Sequence, residues 1–382
     1  MKKTMNCEPI LTITGSDSVG GSGIQADIKT ISSLGGYAAS AITAVTVQNT
    51  VGIHEVFDLP VEIVEQQVRA VMEDLAPKVV KVGLLRNEAS ILAISNLLKH
   101  YQPHFVVCDP GVVSIHGDIL MDRQTLAVLQ RHLFPLCTVV NLKSEAAALL
   151  LNRKIENVDA MVEAAQLLVN QGCNAVLLQS SSAMGDRHTD VLVRYGSDEP
   201  TYFSSPGIIE RNSHGVSGAF STAIATFLST GVDLQTAVLK AREYVNRLVI
   251  YSLDMKLGHG GRLLNHGGKR MVSTHLMELY NKLMSEIMLH GKENSDVAFY
   301  ADKLNVSTRY LAEVTKKVVG RSPKDLIRDH LIQEIEVELK SDNKNMQEVA
   351  YKFGFSSQAQ FTKFFKQMKG CPPSEFRNSN RQ

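Results

Sequence analysis

Up to about residue 250 the chain alternates between two hydrophobic patterns. Short, nearly continuous apolar runs end in glycine or a polar residue: PILTITG (9–15), SAITAVTVQNT (40–50), VVKVGLL (79–85), FVVCDPGVV (105–113), CTVVNL (137–142) and NAVLLQ (174–179). Between them lie stretches such as GIQADIKTISSLG (23–35), SILAISNLLKHY (90–101) and VDAMVEAAQLLVNQG (158–172), whose apolar residues recur at helical spacing. Continuous apolar strands alternating with amphipathic helices predict a mostly parallel sheet covered on both faces. Ligands of such sheets bind beyond the carboxyl ends of the strands, so the polar residues that close each run are the candidates for chemistry. After the glycine-rich segment LGHGGRLLNHGGKR (257–270) the strand pattern stops, and short amphipathic helices fill the rest. The expected organisation is an α/β body over 1–266, a linker over 267–274 and an all-α domain over 275–382.

Composition sharpens this picture locally. The net charge of the 382 residues is only +1, but residues 351–382 carry Lys352, Lys363, Lys366, Lys369, Arg377 and Arg381 against the single acid Glu375. A small basic domain on a near-neutral body points to nucleic acid. The cysteines, Cys7, Cys108, Cys137, Cys173 and Cys371, are odd in number and never form Cys-x-x-Cys. They spell no disulfide or metal framework and suit a reducing cytoplasm. No apolar run reaches the roughly 18 residues of a membrane span, and the N-terminal apolar run stops at Gly-Ser-Asp like a first strand, unlike a signal peptide. The expectation is a cytoplasmic protein with no membrane partner.

The run GSDSVGGSGIQAD, Gly15 to Asp27, joins a strand to a helix and allows backbone to approach a ligand closely, with free amides facing it; a plain βα connection is the competing reading. Residues 10–50 resemble the hydroxymethylpyrimidine (phosphate) kinases of thiamine synthesis, members of the ribokinase-like fold. The likeness continues through VKVGLL, CDPGVV and SHGVSGAFSTAIATFLSTG to LGHGGRLLNH, about residues 9–266. It implies that Gln48 hydrogen-bonds a pyrimidine, with the Ser22 region and Leu84 in the same pocket. An amide suits an aminopyrimidine because it carries both donor and acceptor. Gly15, Asp17, Gly21 and Asp109 complete the candidate ligand set, Asp109 facing either magnesium or solvent.

The nucleotide side departs from the resemblance. The family's Gly-Thr-Gly-Cys, or Gly-x-Gly-Asp, appears as Gly215, Val216, Ser217 and Gly218, so a glycine stands where the catalytic residue is implied. Backbone amides there can still cradle an anion. The implied Asn-Leu-Pro-Glu-Ala appears as VNLKSEA (140–146), with Asn141 and Glu145 offset, and the implied Lys-Gly-Gly-His as LLQSSSAMG, with Gln179 in place of the lysine. The resemblance therefore implies a kinase fold that keeps its ligand side and has lost its catalytic residue, with no cofactor required; ATP and magnesium enter only if activity survives. His214, His259 and His266 have no common metal spacing, and no metal site is expected.

In the tail, DVAFYADKLNVSTRYLAEVTKKVVG and MQEVAYKFGFSSQAQFTKFFKQMKG share one plan: a helix centred on Ala301 or Ala350, a turn at Asn305 or Gly354, and a serine-capped second helix rich in Lys and Arg. The pair resembles the AraC/XylS-type DNA-binding domain. That implies two recognition helices, the first offering Thr308, Arg309, Lys316 and Lys317 and the second Gln358, Gln360, Thr362, Lys363 and Lys366. Met346, Val349, Phe353, Phe355, Phe361, Phe364 and Phe365 read as core. The run Glu334, Glu336, Glu338 would not itself touch phosphate.

Together these readings predict a transcription regulator that binds sequence-specific DNA and senses hydroxymethylpyrimidine or its phosphate, a homodimer being expected. The alternatives are an active bifunctional kinase, taking a base from Asp17 or His214, and a sensor of a vitamin B6 pyridine.

Overall fold

The computed structural model describes residues 8–113, 119–180, 187–197, 199–206, 213–252, 255, 257–267, 274–291, 294–341 and 345–379. The chain divides into two compact units, Met1–Gly268 and Lys269–Gln382.

The first unit is built on nine strands: β1 (Pro9–Asp17), β2 (Tyr37–Gln48), β3 (Ile53–Asp58), β4 (Val79–Val82), β5 (Phe105–Cys108), β6 (Val139–Lys143), β7 (Ala175–Gln179), β8 (Arg187–Arg194) and β9 (Thr201–Pro206). Their order is β3-β2-β1-β4-β5-β6-β7-β8-β9. The strands from β2 to β7 run parallel, as their continuous apolar sequences predict. The edges β3, β8 and β9 are antiparallel, and periodicity did not single them out. One face packs on α1 (Gly23–Ser33), and the other on α2 (Val61–Leu75), α3 (Glu88–Tyr101), α4 (Arg123–Val128), α5 (Ser144–Leu151) and α6 (Val158–Asn170); α7 (Val216–Ser229) and α8 (Leu234–Ser252) lie on the α1 face. A short parallel pair, β10 (Ser213–His214) with β11 (Arg262–Leu263), stands apart from the main sheet.

The chain leaves β1 for β2 on one side and reaches β4 on the other, so the strand order reverses at β1. That reversal opens a crevice at the carboxyl ends of β1, β2, β4 and β5. Beneath it Lys81 and Asp27, 3% and 0% exposed, pair at 2.9 Å. Thr12 and Thr222 donate to the same carboxylate at 2.5 and 2.6 Å. The pair ties α1, β1, β4 and α7 together under the crevice. Cys108, Cys137 and Cys173 lie buried in the core of the opposite face. Burial raises the Cys173 thiol to about 12, and burial with Cys108 alongside holds the Cys137 thiol well above its usual value.

The second unit is all helix: α9 (Thr274–His290), α10 (Val297–Lys303), α11 (Thr308–Val319), α12 (Pro323–Ser341), α13 (Met346–Lys352), α14 (Gln358–Lys369) and α15 (Pro373–Ser379). Val349, Phe353, Phe361 and Phe365 form its second core with Leu331, Ile335 and Leu339 of α12, and Met346, Phe355 and Phe364 pack against it. No helix among the described residues is long and apolar enough to cross a membrane.

Candidate ligand cleft and nucleic-acid interface

The crevice is a cleft of about 220 Å3. Gly15, Asp17, Ser22, Gln48, Leu84, Asp109 and Gly215 to Gly218 all line it. Gly21 lies behind the wall instead: a Cβ there would come within 2.3 Å of His214 Cδ2 and 2.7 Å of Leu263.

Asp17 organises the loop around itself. Its Oδ2 accepts from the Gly21 and Ser22 amides at 3.0 and 2.8 Å and from Ser22 Oγ at 2.9 Å, and its Oδ1 accepts from the Val19 amide at 2.9 Å. Burial works to raise its carboxyl, but the bonds from His214, Val19 and Ser22 outweigh burial and hold its pKa at about 2. An ionised, fully engaged carboxylate of this kind is a structural anchor and a poor proton acceptor. His214 Nε2 lies 3.0 Å from Asp17 Oδ2 and 3.0 Å from Gln48 Nε2, which places the imidazole between the loop and the end of β2. Gln48 is further steadied by Thr46 Oγ1 at 3.2 Å.

The other wall is the start of α7. Gly215 caps it with φ 87°, and a Cβ there would fall 1.7 Å from Gly21 O, so only glycine fits. The first amides of a helix have no partner within it, and those of Val216, Ser217 and Gly218 open this one. Gly218 is different in kind: a Cβ built on it meets nothing within 4 Å. The absent side chain leaves room.

Ser217 closes the far side. Its hydroxyl donates to Asp109 Oδ2 at 3.0 Å and accepts from Asn141 Nδ2 at 3.3 Å and Gln179 Nε2 at 3.0 Å. Gln179 also donates to Asn141 Oδ1 at 2.9 Å, and Ser221 Oγ to Asp109 Oδ2 at 3.0 Å. The departures seen in sequence at Asn141, Gln179 and Ser217 are thus one closed network. His259 and His266 go elsewhere. The His259 amide donates to Thr50, and His266 Nδ1 meets Tyr244 Oη at 3.1 Å, with burial and Lys29 lowering its pKa to about 4.

In the second unit, α10–α11 and α13–α14 form two helix–turn–helix pairs. The turns take left-handed backbone at Asn305 (φ 53°) and Gly354 (φ 74°). Ser307 caps α11 by accepting from the Tyr310 amide, and Ser357 caps α14 by accepting from the Gln360 amide. Thr308, Arg309, Lys316, Lys317, Gln358, Gln360, Lys363 and Lys366 are exposed, with Thr362 half-buried. Two of them are already engaged: Lys317 pairs with Glu313 at 2.6 Å, and Gln360 Oε1 accepts from the Ser356 amide and hydroxyl at 3.1 and 2.7 Å. The acidic run of α12 has a partner as well. Glu338 binds Lys352 of α13 at 2.6 Å, and Glu336 binds Lys369 of α14.

Residues 17–262 match the phosphomethylpyrimidine kinase family model. The chain belongs to that family. Residues 300–379 match a helix-turn-helix domain model, so the family's kinase domain is here joined to an AraC-type DNA-binding domain. A hydroxymethylpyrimidine/phosphomethylpyrimidine kinase of Rhizobium meliloti is 38% identical over 257 residues, covering 67% of this chain and 96% of the relative. The thiamine biosynthesis bifunctional protein ThiED of Geobacter sulfurreducens is 37% identical over 66% of this chain, which spans only 51% of that relative. Among solved structures, a phosphomethylpyrimidine kinase from Clostridium difficile superposes with a TM-score of 0.56 at 34% identity, over 62% of this chain and 97% of that one. Bacillus subtilis pyridoxal kinase, as its ADP complex, gives 0.62 at 26% identity, over 69% and 99%.

Lys81 and Asp27 and the Ser217 network were not anticipated as units. A lysine inside the apolar run VVKVGLL and an aspartate on the apolar face of GIQADIK were the available signal, since a buried charge requires a partner.

Proposed function

We propose that this protein is a ligand-responsive, DNA-binding transcription regulator. Its kinase-like unit holds hydroxymethylpyrimidine or its phosphate without phosphorylating it, and occupancy changes the DNA affinity of the tail. The observation that carries this reading is Gly218. Phosphoryl transfer to a hydroxyl needs an acceptor for its proton and cations or donors for the developing phosphate charge. Gly218 supplies no side chain at the start of α7, while the ring side at Gln48, His214 and the Asp17 loop is fully assembled. Asp17 is a poor substitute. It is held ionised near pKa 2 by bonds that consume its oxygens.

Magnesium–ATP fits the residues present only in part. The α7 amides suit an anion, but Asp109 Oδ2 already accepts from two serine hydroxyls, and Gln179 brings no charge where the resemblance implies lysine. A pyridine ligand of the vitamin B6 type is the second reading, favoured by the likeness to a pyridoxal kinase fold.

Calorimetric titration of the full chain with hydroxymethylpyrimidine, its phosphate and pyridoxal, with and without magnesium–ATP, tests the proposal. Saturable pyrimidine heat with no ADP formed is the expected result. ADP production that tracks the pyrimidine would make this an enzyme.

A further inference from the structure

The glycine-rich segment that closes the first unit does more than end it, because Gly261 within it lines the cleft. Thr50, which follows Gln48 and Asn49 in the turn after β2, lines the cleft together with Gly261. Thr50 Oγ1 accepts from the amides of His259 and Gly260, both at 3.1 Å, and Thr50 O accepts from Gly261 at 3.2 Å. The approach is so close that a Cβ on Gly260 would lie 1.6 Å from Thr50 O. Arg262 and Leu263 then pair with Ser213 and His214, whose imidazole sits between Gln48 and Asp17.

From there the chain is pinned to the end of the unit. Leu264 is buried between the sheet and α7 and α8. The Asn265 amide donates to Ser252 Oγ at 2.9 Å, and His266 Nδ1 contacts Tyr244 Oη and, at 3.4 Å, Thr30 of α1. Gly267 and Gly268 follow, and Lys269 begins the DNA-binding unit. A segment held at each step has no slack, so a displacement at Gly261 is passed along it.

We propose that Gly258–His266 is the coupling strap. A ring seated on Gln48 presses on or orders Thr50 and Gly261, and the change reaches the DNA-binding unit through the covalent chain. This rests on the sensor reading above and specifies how that site is regulated. The ligand shifts DNA affinity only by its differential affinity for the two strap positions.

The test uses the full chain, hydroxymethylpyrimidine and its phosphate as probes, and a duplex selected by the full chain from a random pool. In the unaltered protein the pyrimidine is expected to change duplex affinity by roughly 5- to 150-fold, the usual range of coupling, and to change hydrogen exchange at the amides of His259, Gly260 and Gly261. A Gly-Ser-Gly-Ser insertion after Gly267 touches neither cleft nor recognition helix. It is expected to keep both separate affinities while the ligand effect falls below about two-fold. Coupling through a docked face would tolerate the insertion, because effective concentration falls only slowly with linker length. Gly260→Ala forces the strap off Thr50 and is expected to fix duplex affinity at one value with or without ligand. If the pyrimidine binds but the three amides keep their exchange rates, or if the ligand effect survives the insertion, the strap is overturned and the sensor stands. If no pyrimidine binds, the sensor reading falls and takes the strap with it.

Discussion

Ser217 has one hydroxyl proton and two lone pairs, and Asp109, Asn141 and Gln179 use all three. Ser217→Ala strands two buried amide donors and is expected to cost about 1–3 kcal/mol in denaturant unfolding. Its neighbour behaves oppositely. Gly218→Asp enters open space on ordinary backbone. It is expected to raise stability by about 1 kcal/mol through helix propensity and the dipole, and its ADP production reports whether a base is all that is missing. Asp17 titrates from about 3.8 unfolded to about 2 folded. Because its folded pKa is depressed, its contribution of about 2 kcal/mol is complete above pH 4–5 and fades as pH falls towards 2. Asp17→Asn should remove that acid-range slope from the pH dependence of urea unfolding. At Gln360 both lone pairs of Oε1 are spent on Ser356, whose amide can only donate, so the free end of the side chain is a donor. It should favour an acceptor such as guanine O6 or N7 or thymine O4. Gln360→Glu is expected to lose that preference in selection from a random pool, by about 1–3 kcal/mol at one base. The types of these residues were legible, Gly218 above all. Their partners were not, because hydrogen bonds between Asp109, Asn141, Gln179 and Ser217 join four separate elements.

Strands were readable where both faces are buried, since β1, β4, β5, β6 and β7 are continuous apolar words. The antiparallel edges β3 and β9 expose residues such as Phe57 and Tyr202 and so escape the same test. The helices of the tail were readable from serine caps and left-handed turns, which are local chemistry. The acidic stretch of α12 illustrates the limit: its role depends on Lys352 and Lys369, which reach it from α13 and α14. This gives a prediction at the level of the element. Among the described residues Lys363 and Lys366 have no carboxylate partner, so each alanine variant is expected to weaken duplex binding uniformly and to lower the salt slope by about 1. Lys352→Ala and Lys369→Ala should leave the slope unchanged and lower the melting temperature slightly. Equal slopes in all the variants would mean that α14 does not lie along the phosphates.

At the scale of the whole chain, a net charge of +1 makes the basic excess of residues 351–382, six Lys and Arg against Glu375, a local feature of the tail. The body contributes rigidity. With Lys81 and Asp27 locked under the cleft, Lys81→Met leaves a carboxylate buried without its cation and is expected to cost about 3–5 kcal/mol by calorimetry of unfolding. The buried thiols have a consequence of a different sort. Cys108, Cys137 and Cys173 are buried in the core, and burial raises the Cys137 and Cys173 thiols, whereas Cys371, just past the end of α14, is half-exposed. With Cys7, outside the described residues, replaced by serine, a maleimide dye should attach to the native protein at Cys371 alone. A dye there stands two residues past the end of α14, so any approach of that helix to a duplex can be watched in real time, with or without the pyrimidine present.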